Sequence, residues 1–341
     1  VDNDSTYKTN GSGTSFSSPM VAGAAALVRA RFPQLNAVQV MERMRITSDD
    51  IYAIGTNSDY EGLIGTGRLN MLRALNDIST PSLRLNNIDY NNGLGVKAYA
   101  GDTLSISMDI INYLNIAKNT TLSLSTSSPF AQVISREFAI SALQSIDTLN
   151  NSNSPFQVVL TSDLPSSEDL VFRVDMIGDN YEDYQYFTIE SSPNYVNFRT
   201  GQLEMTIAGD GDLGFDRDGF QSGIGIKYEQ MNIAQNIGFM LGTNKAAVSD
   251  NIPNNLTLNT SDDDFNGVRN IKEYRNGIAQ NDARSILSVP DSIIIEQKAI
   301  ADSLSDFIIQ EYRIINTGTE TVNNLHVALF SDWDIAVSYT H

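Results

Sequence analysis

Near residue 78 the spacing of apolar residues switches from the three- and four-residue steps of helices to the two-residue alternation of strands. Before the switch, Val21, Ala24, Ala25 and Val28 recur at helical steps, and the opposite positions Ala22, Gly23 and Ala26 are also small and apolar. A helix apolar all round belongs inside a larger domain. Phe32-Pro33 ends it. Asn36 and Gln39 stand at the spacing of a capping box, which opens a second helix with Leu35, Val38, Met41 and Met44 as its expected apolar face. A third, short helix is expected after Gly67, with Leu69, Leu72 and Leu75 spaced by three.

After Ser79-Thr80-Pro81 the pattern is that of half-buried strands. Leu104, Ile106, Met108 and Ile110 alternate with Ser105, Ser107 and Asp109. Leu170, Phe172, Val174 and Met176 repeat the pattern, and Tyr184, Tyr186 and Thr188 continue it on a neighbouring run. Asn, Ser, Gly and Pro clusters separate these runs, as in an antiparallel sandwich. A boundary is expected at Ser191-Ser192-Pro193-Asn194. A further β-rich region follows, with strands near 307–315 and 325–330 and a hairpin turn at Asn316-Thr317-Gly318. The expected organisation is a helical piece over 1–79, an immunoglobulin-like β-sandwich module over 80–194, and a second β-rich module over 195–341 that breaks off at its C-terminus. The chain opens on Val1 and stops inside a strand-like run, so it reads as an internal piece of a longer product. No tandem repeat and no heptad is present.

Charge divides the chain at the same place. Residues 1–77 carry 7 basic and 8 acidic side chains, whereas residues 78–341 carry 15 and 33. A surface so acidic repels phosphate backbones, which argues against a nucleic-acid partner. There is no cysteine, so a disulfide scaffold, a thiolate metal site and a cysteine nucleophile are all excluded. No apolar run approaches the ~20 residues needed to span a bilayer as a helix.

The chemistry sits in Gly11-Ser12-Gly13-Thr14-Ser15-Phe16-Ser17-Ser18-Pro19-Met20-Val21-Ala22-Gly23. Here a glycine-rich turn enters the long apolar helix and places Ser15 at its start. A serine hydroxyl is a poor nucleophile until it is placed and activated. A helix N-terminus offers free N–H groups and the positive end of a dipole, and the Ser15 N–H can help hold an oxyanion there.

This stretch resembles the nucleophile segment of the subtilases, the subtilisin-like serine peptidases, in which Gly-Thr-Ser is followed by Pro and then Val-Ala-Gly. Gly13-Thr14-Ser15, Pro19 and Val21-Ala22-Gly23 match in place. Met20 stands where many members have a histidine outside the triad. Gly65-Thr66-Gly67-Arg68-Leu69-Asn70 resembles a second landmark near the end of that domain. The resemblance covers about residues 1–77. It implies that the opening piece is the C-terminal part of an α/β subtilisin-like domain and that Ser15 is the catalytic serine. It also implies that the triad aspartate and histidine, and the asparagine of the oxyanion hole, precede this chain. The only histidines here are His326, expected on a surface strand, and the final His341.

The layout also resembles long secreted subtilases of Bacteroidota-type bacteria, in which β-modules follow the peptidase domain. That implies an exported, extracellular or cell-surface protein, with a protein or peptide substrate and a cell-surface or secretion-machinery partner engaged through parts beyond this chain. The main expectation is a serine endopeptidase whose activity belongs to the longer protein, the isolated chain being inactive. The rival is a surface binding or adhesion protein with a vestigial peptidase domain.

No cofactor is required by this chemistry, but calcium is a candidate. Asp262, Asp264, Asn266, Gly267 and Glu273 fall at positions one, three, five, six and twelve of a calcium loop. No helical pattern precedes Asp262, and Arg269 is charged where such loops are apolar, so an acidic solvated turn is the alternative. Asp210, Asp212, Asp216 and Asp218 form a second acidic, glycine-rich turn. Trp333, the single tryptophan, is expected to close a strand over the core.

Overall fold

The computed structural model describes residues 13–215, 222–245, 247–250, 252, 265–274, 281–289, 293–302 and 304–333. It is mostly β, with a short helical start, and divides into two compact units. The first holds the residues up to Val96 with Gly101–Thr161 and Asp169–Ile189. The second holds Lys97–Ala100, Ser162–Glu168 and the residues from Glu190 on. The helical piece and the strands that follow it thus share one unit, with no division at residue 79. Three short pieces of the 80–194 region, Lys97–Ala100, Ser162–Glu168 and the residues from Glu190 on, belong to the second unit.

Three helices open the first unit: α1 (Thr14–Arg31), α2 (Ala37–Ile46) and α3 (Met71–Asn76). The capping box of α2 forms as its sequence dictates. Gln39 N–H donates to Asn36 Oδ1 at 2.9 Å, and Asn36 N–H donates to Gln39 Oε1 at 3.0 Å. The three helices share a small core of Val28, Phe32, Val40 and Ala74. The two expected faces are realised in part: Leu35 and Met44 of the first and Leu75 of the second pack against this core. In α2, Val38 and Met41 are exposed, while Gln39, Val40, Glu42 and Arg43 are buried. In α3, Leu72 is exposed, and Ala74 is the residue that faces inward.

Nine strands follow: β1 (Leu83–Asn91), β2 (Thr103–Asn112), β3 (Ala117–Thr126), β4 (Ala131–Ser135), β5 (Glu137–Leu143), β6 (Thr148–Asn150), β7 (Phe156–Leu160), β8 (Asp169–Gly178) and β9 (Tyr181–Glu190). They form one antiparallel sheet in the order β1-β2-β7-β4, with β6 also on β2, and another in the order β5-β3-β8-β9. The two-residue alternation is realised in β2 and β8, whereas β9 buries Tyr181, Asp183 and Ile189, so the expected run Tyr184, Tyr186 and Thr188 falls on its less buried face. Leu104, Ile106, Met108 and Ile110 of β2 are completely buried, as are Leu170, Phe172, Val174 and Met176 of β8. Each such side chain contributes about 1.5–3 kcal/mol on leaving water.

Polar groups stitch the edges. Gln185 on β9 accepts from Leu85 N–H and donates to Leu85 O, closing the β1 edge. Buried Asn112 accepts from the N–H groups of Ser82 and Leu114 and donates to the carbonyls of Asn115 and Leu143. Tyr181 is buried, accepts from Leu83 N–H at 2.9 Å and donates to Asp183 at 3.1 Å.

Burial, reinforced by the Asp183 carboxylate, pushes the Tyr181 hydroxyl well above its ordinary value. Its neutral form therefore stabilises the fold fully below the unfolded pKa of about 10, and that stability is lost as pH rises through the folded value. Denaturant melts of the first unit should show stability falling above pH ~10. Tyr181→Phe should flatten that slope while lowering stability at neutral pH through the two lost hydrogen bonds. An unchanged alkaline slope would count against this assignment.

The second unit contains β10 (Tyr195–Thr200), β11 (Leu203–Ala208), β12 (Ile226–Tyr228), β13 (Met231–Asn244), β14 (Ala247–Asp250), β15 (Asn266–Tyr274), β16 (Asn281–Val289), β17 (Ile293–Ala301), β18 (Ile308–Asn316) and β19 (His326–Trp333). One sheet runs β10-β11-β12-β13-β14, with β19 also on β13, and the other runs β15-β16-β17-β18. Their apolar faces meet in clusters such as Val196, Phe198 and Ile207 with Ile271 and Ala299. Asn316 does not open a tight hairpin. Its side chain accepts from Gly318 N–H, and β18 and β19 lie in different sheets. Trp333 ends β19 as expected but is half exposed rather than set over the core.

Candidate active site

Ser15 is the second residue of α1 and is exposed to solvent. The turn before it is set by Gly13, at φ 136° and ψ 157°, where a side chain would be strained. Space is not the constraint, since a Cβ on Gly13 would meet nothing nearer than Ser15 Oγ at 3.7 Å. Gly13 O accepts from Phe16 N–H at 3.0 Å, so the helix is engaged from its first turn. The Thr14 and Ser15 N–H groups precede the first intrahelical donor and face the helix end, where negative charge is stabilised. Pro19 lies inside the helix without breaking it. Gly11 and Ser12 lie outside the described residues.

Only one side of α1 is covered. Ala24 and Val28 are buried, but Phe16, Met20, Val21 and Leu27 are 50%, 68%, 44% and 57% exposed.

The second landmark is a structural joint. Arg68 and Asp49 exchange both backbone hydrogen bonds, at 2.7 and 2.8 Å. Asn70 caps α3 by accepting from Arg73 N–H at 3.0 Å and donates to Asp49 Oδ1 at 2.7 Å. The Asn70 amide, aided by Arg68, holds the Asp49 carboxyl below its usual range. Gly67 adopts φ 139°, and a Cβ there would lie 2.1 Å from Asp49 O. Gly67→Ala should therefore destabilise the helical piece by more than about 1 kcal/mol, whereas Gly55→Ala, with open space around it, pays only for its positive φ. Denaturant midpoints of the two variants check this, and equal midpoints would contradict it.

The remaining expected residues are dispersed. His326 lies exposed on β19, at the rim of a cavity of about 330 Å³ lined by Met240, Leu241, Val248 and Ala328. His341 lies outside the described residues, as do Asp262 and Asp264 of the candidate calcium loop. Asn266 and Glu273 stand at opposite ends of β15, so an extended strand separates them by roughly 20 Å and one ion cannot take both. Glu273 pairs instead with Lys97 at 3.3 Å. Asp210 and Asp212 are buried, and Asp216 and Asp218 lie outside the described residues. Among the described residues, no three His, Cys, Asp or Glu side chains are grouped to hold a metal. No described helix is long and apolar enough to cross a membrane.

Gly13, the exposed Ser15 at a helix start and the capped Gly-x-Gly-x-x-Asn joint all lie within one short stretch of the chain. Residues 2–75 match the model of the subtilase family, so the chain opens with the C-terminal part of a subtilase-family domain. Over 70 residues the chain is 43% identical to Mycosin-4 of Mycobacterium tuberculosis (strain ATCC 25618 / H37Rv). That match takes in 20% of this chain and 14% of that protein. Among solved structures, a native alpha-2-macroglobulin from Escherichia coli, spanning domain MG7 to the C-terminus, aligns with 49% of this chain and 24% of its own, at 14% identity and a TM-score of 0.25. A likeness that low carries no conclusion about the fold of the β units.

Proposed function

We propose that the protein is a subtilisin-like serine endopeptidase that cleaves protein or peptide substrates through an acyl-enzyme on Ser15. The observation that carries this is the exposed Ser15 at the start of α1, inside a segment matching the subtilase family. In this reading Ser15 Oγ attacks the scissile carbonyl and passes its proton to a histidine upstream of the chain, which an upstream aspartate orients. The Ser15 N–H and an upstream asparagine hold the oxyanion. The histidine then protonates the leaving amine, and water releases the acyl group by the reverse route. No metal or cofactor enters these steps.

The β units are then modules, immunoglobulin-like in the first, of an exported, extracellular or cell-surface enzyme. The uncovered apolar side of α1 supports the reading, because a subtilisin-like domain buries the nucleophile helix against a parallel sheet. The test is the upstream reading frame together with hydrolysis by the full-length protein. An aspartate in Asp-Ser/Thr-Gly, a histidine in His-Gly and cleavage of an unfolded protein substrate are expected. A frame lacking both residues would sink the enzyme and favour a binding protein with a vestigial peptidase domain.

A further inference from the structure

α2 buries two charged side chains, Glu42 and Arg43, and Glu42 together with the partly buried Arg45 reaches partners far along the chain. Arg45 presents both terminal nitrogens to Asp183, at 3.0 and 2.7 Å, across 138 residues of sequence. Its Nε donates to Glu42 at 2.7 Å and its Nη2 to Ser82 at 3.0 Å, while Ser82 Oγ donates to Glu42 at 2.8 Å. Glu42 and Asp183 are each 5% exposed at the side chain and Arg45 is 14% exposed, so the cluster is withdrawn from water. Asp183 is held from behind by Tyr181 O–H and accepts from Tyr184 N–H. One helical turn earlier, Gln39 donates to Tyr113 O at 2.8 Å.

A second contact lies on the loop between α2 and α3. Glu61 pairs with Arg173 of β8. The Arg173 guanidinium lies 4.3 Å from the Tyr184 ring centroid, and a Cβ on Gly62 would sit 2.7 Å from the Tyr186 ring. A glycine is needed there because the aromatic ring already fills the space.

We infer that the face made by β8, β9 and the start of β1 is the docking surface for the subtilase-like segment of the same chain. Through Asp183, Ser82, Arg173, Tyr184 and Tyr186 it binds α2 and the 51–65 loop into one cooperative folding unit with the first sheets. The inference deepens the peptidase reading and rests on it for the segment's identity, not for the contact. Its consequence is that this β unit is part of the peptidase body. Removing it would leave Arg45 and Glu42 without their partners, and a buried charge stripped of its partner is strongly unfavourable. The carboxylate–guanidinium fork also fixes orientation, which a hydrophobic seam would not.

Hydrogen exchange on the full chain tests this. In the wild type, α2 amides such as Val40 and Met44 should be protected to within about tenfold of Met108 on β2 and Val174 on β8, because all open in one event. That measurement needs no variant. Asp183→Asn, which keeps shape and removes charge, should lower protection at Val40, Met44, Val28 and Val174 together by at least about tenfold, because every opening that frees α2 breaks this pair. Asp179→Asn, whose partner is the exposed Asn119, should leave all four unchanged. Wild-type α2 protection orders of magnitude below that of β2 and β8, or an Asp183→Asn variant whose α2 protection equals wild type, would overturn the inference. The peptidase reading fails separately, by absence of Ser15 labelling in the full-length protein while these exchange ratios hold.

Discussion

Replacing Ser15 by alanine in the full-length protein should abolish both turnover and covalent capture by a fluorophosphonate. The expected loss of turnover is on the order of a million-fold, since removing the nucleophile of a subtilisin-type triad leaves only the residual effect of binding and the oxyanion donors. Ser15 is exposed and α1 is engaged from Gly13 onward, so alanine, a better helix former, should leave the fold intact. That makes the comparison clean: equal melting of the two proteins, labelling in one. The neighbouring Ser17 and Ser18 provide internal controls, since alanine at either should leave labelling in place. Full-length Ser15→Ala protein that labels as fast as wild type would show that the nucleophile lies elsewhere. The isolated 341-residue chain should show no hydrolysis, because its two histidines, His326 and His341, both fall far from Ser15 in sequence and neither precedes it as the family's base does.

What could be read from the sequence was what local physics decides. The capping box at Asn36 and Gln39, the glycine turn before Ser15 and the period-two strands at 104–110 and 170–176 each depend on neighbours within a few residues. Each appears in the structure. The strands expected at 307–315 and 325–330 appear as β18 and β19, shifted by one residue at the start.

The buried face of α2 was not legible, and the reason is physical. Apolar periodicity pointed to Val38 and Met41, but the side that enters the unit carries Glu42 and Arg45, which are buried because Asp183 and Ser82 receive them. Charged residues on a helix read as solvated until their partners are known, and Asp183 lies 138 positions away. Composition likewise changes at residue 79, where the sequence suggests a domain edge, yet the helical piece and the first sheets fall in one compact unit. For α1 both the pattern and its consequence were legible, because a helix apolar all round belongs inside a larger domain. The Ala24 and Val28 stripe is buried by α2 and α3, while the rest of a helix that a larger domain would enclose is open in this chain.

That openness gives the last expectation. Phe172→Ala should be among the most damaging single substitutions in the first unit, and Leu27→Ala among the mildest of the large-to-small changes. Phe172 is completely buried and stacks on Phe187 with centroids 5.2 Å apart and planes at 19°. Truncating a buried phenylalanine costs about 3–5 kcal/mol in transfer and cavity terms. Against a total stability of roughly 5–15 kcal/mol, that is enough to leave a large unfolded fraction. Leu27, 57% exposed on α1, should change stability by no more than about 0.5 kcal/mol in the 341-residue chain. The readout must follow the first unit itself. Trp333, the single tryptophan, belongs to the second unit, so its fluorescence would report the wrong transition. Urea unfolding followed by amide exchange at Val174 and Met108 reports the right one, with the midpoint moving and the slope held. In the full-length protein the ordering should change. If the rest of a subtilisin-like domain encloses α1, Leu27→Ala becomes a core truncation worth about 2–5 kcal/mol. A Leu27→Ala variant as costly as Phe172→Ala in the 341-residue chain would mean that something in this chain already covers that face in solution. A variant still silent in the full-length protein would mean that nothing ever does, and the subtilisin-like enclosure of α1 would fall with it.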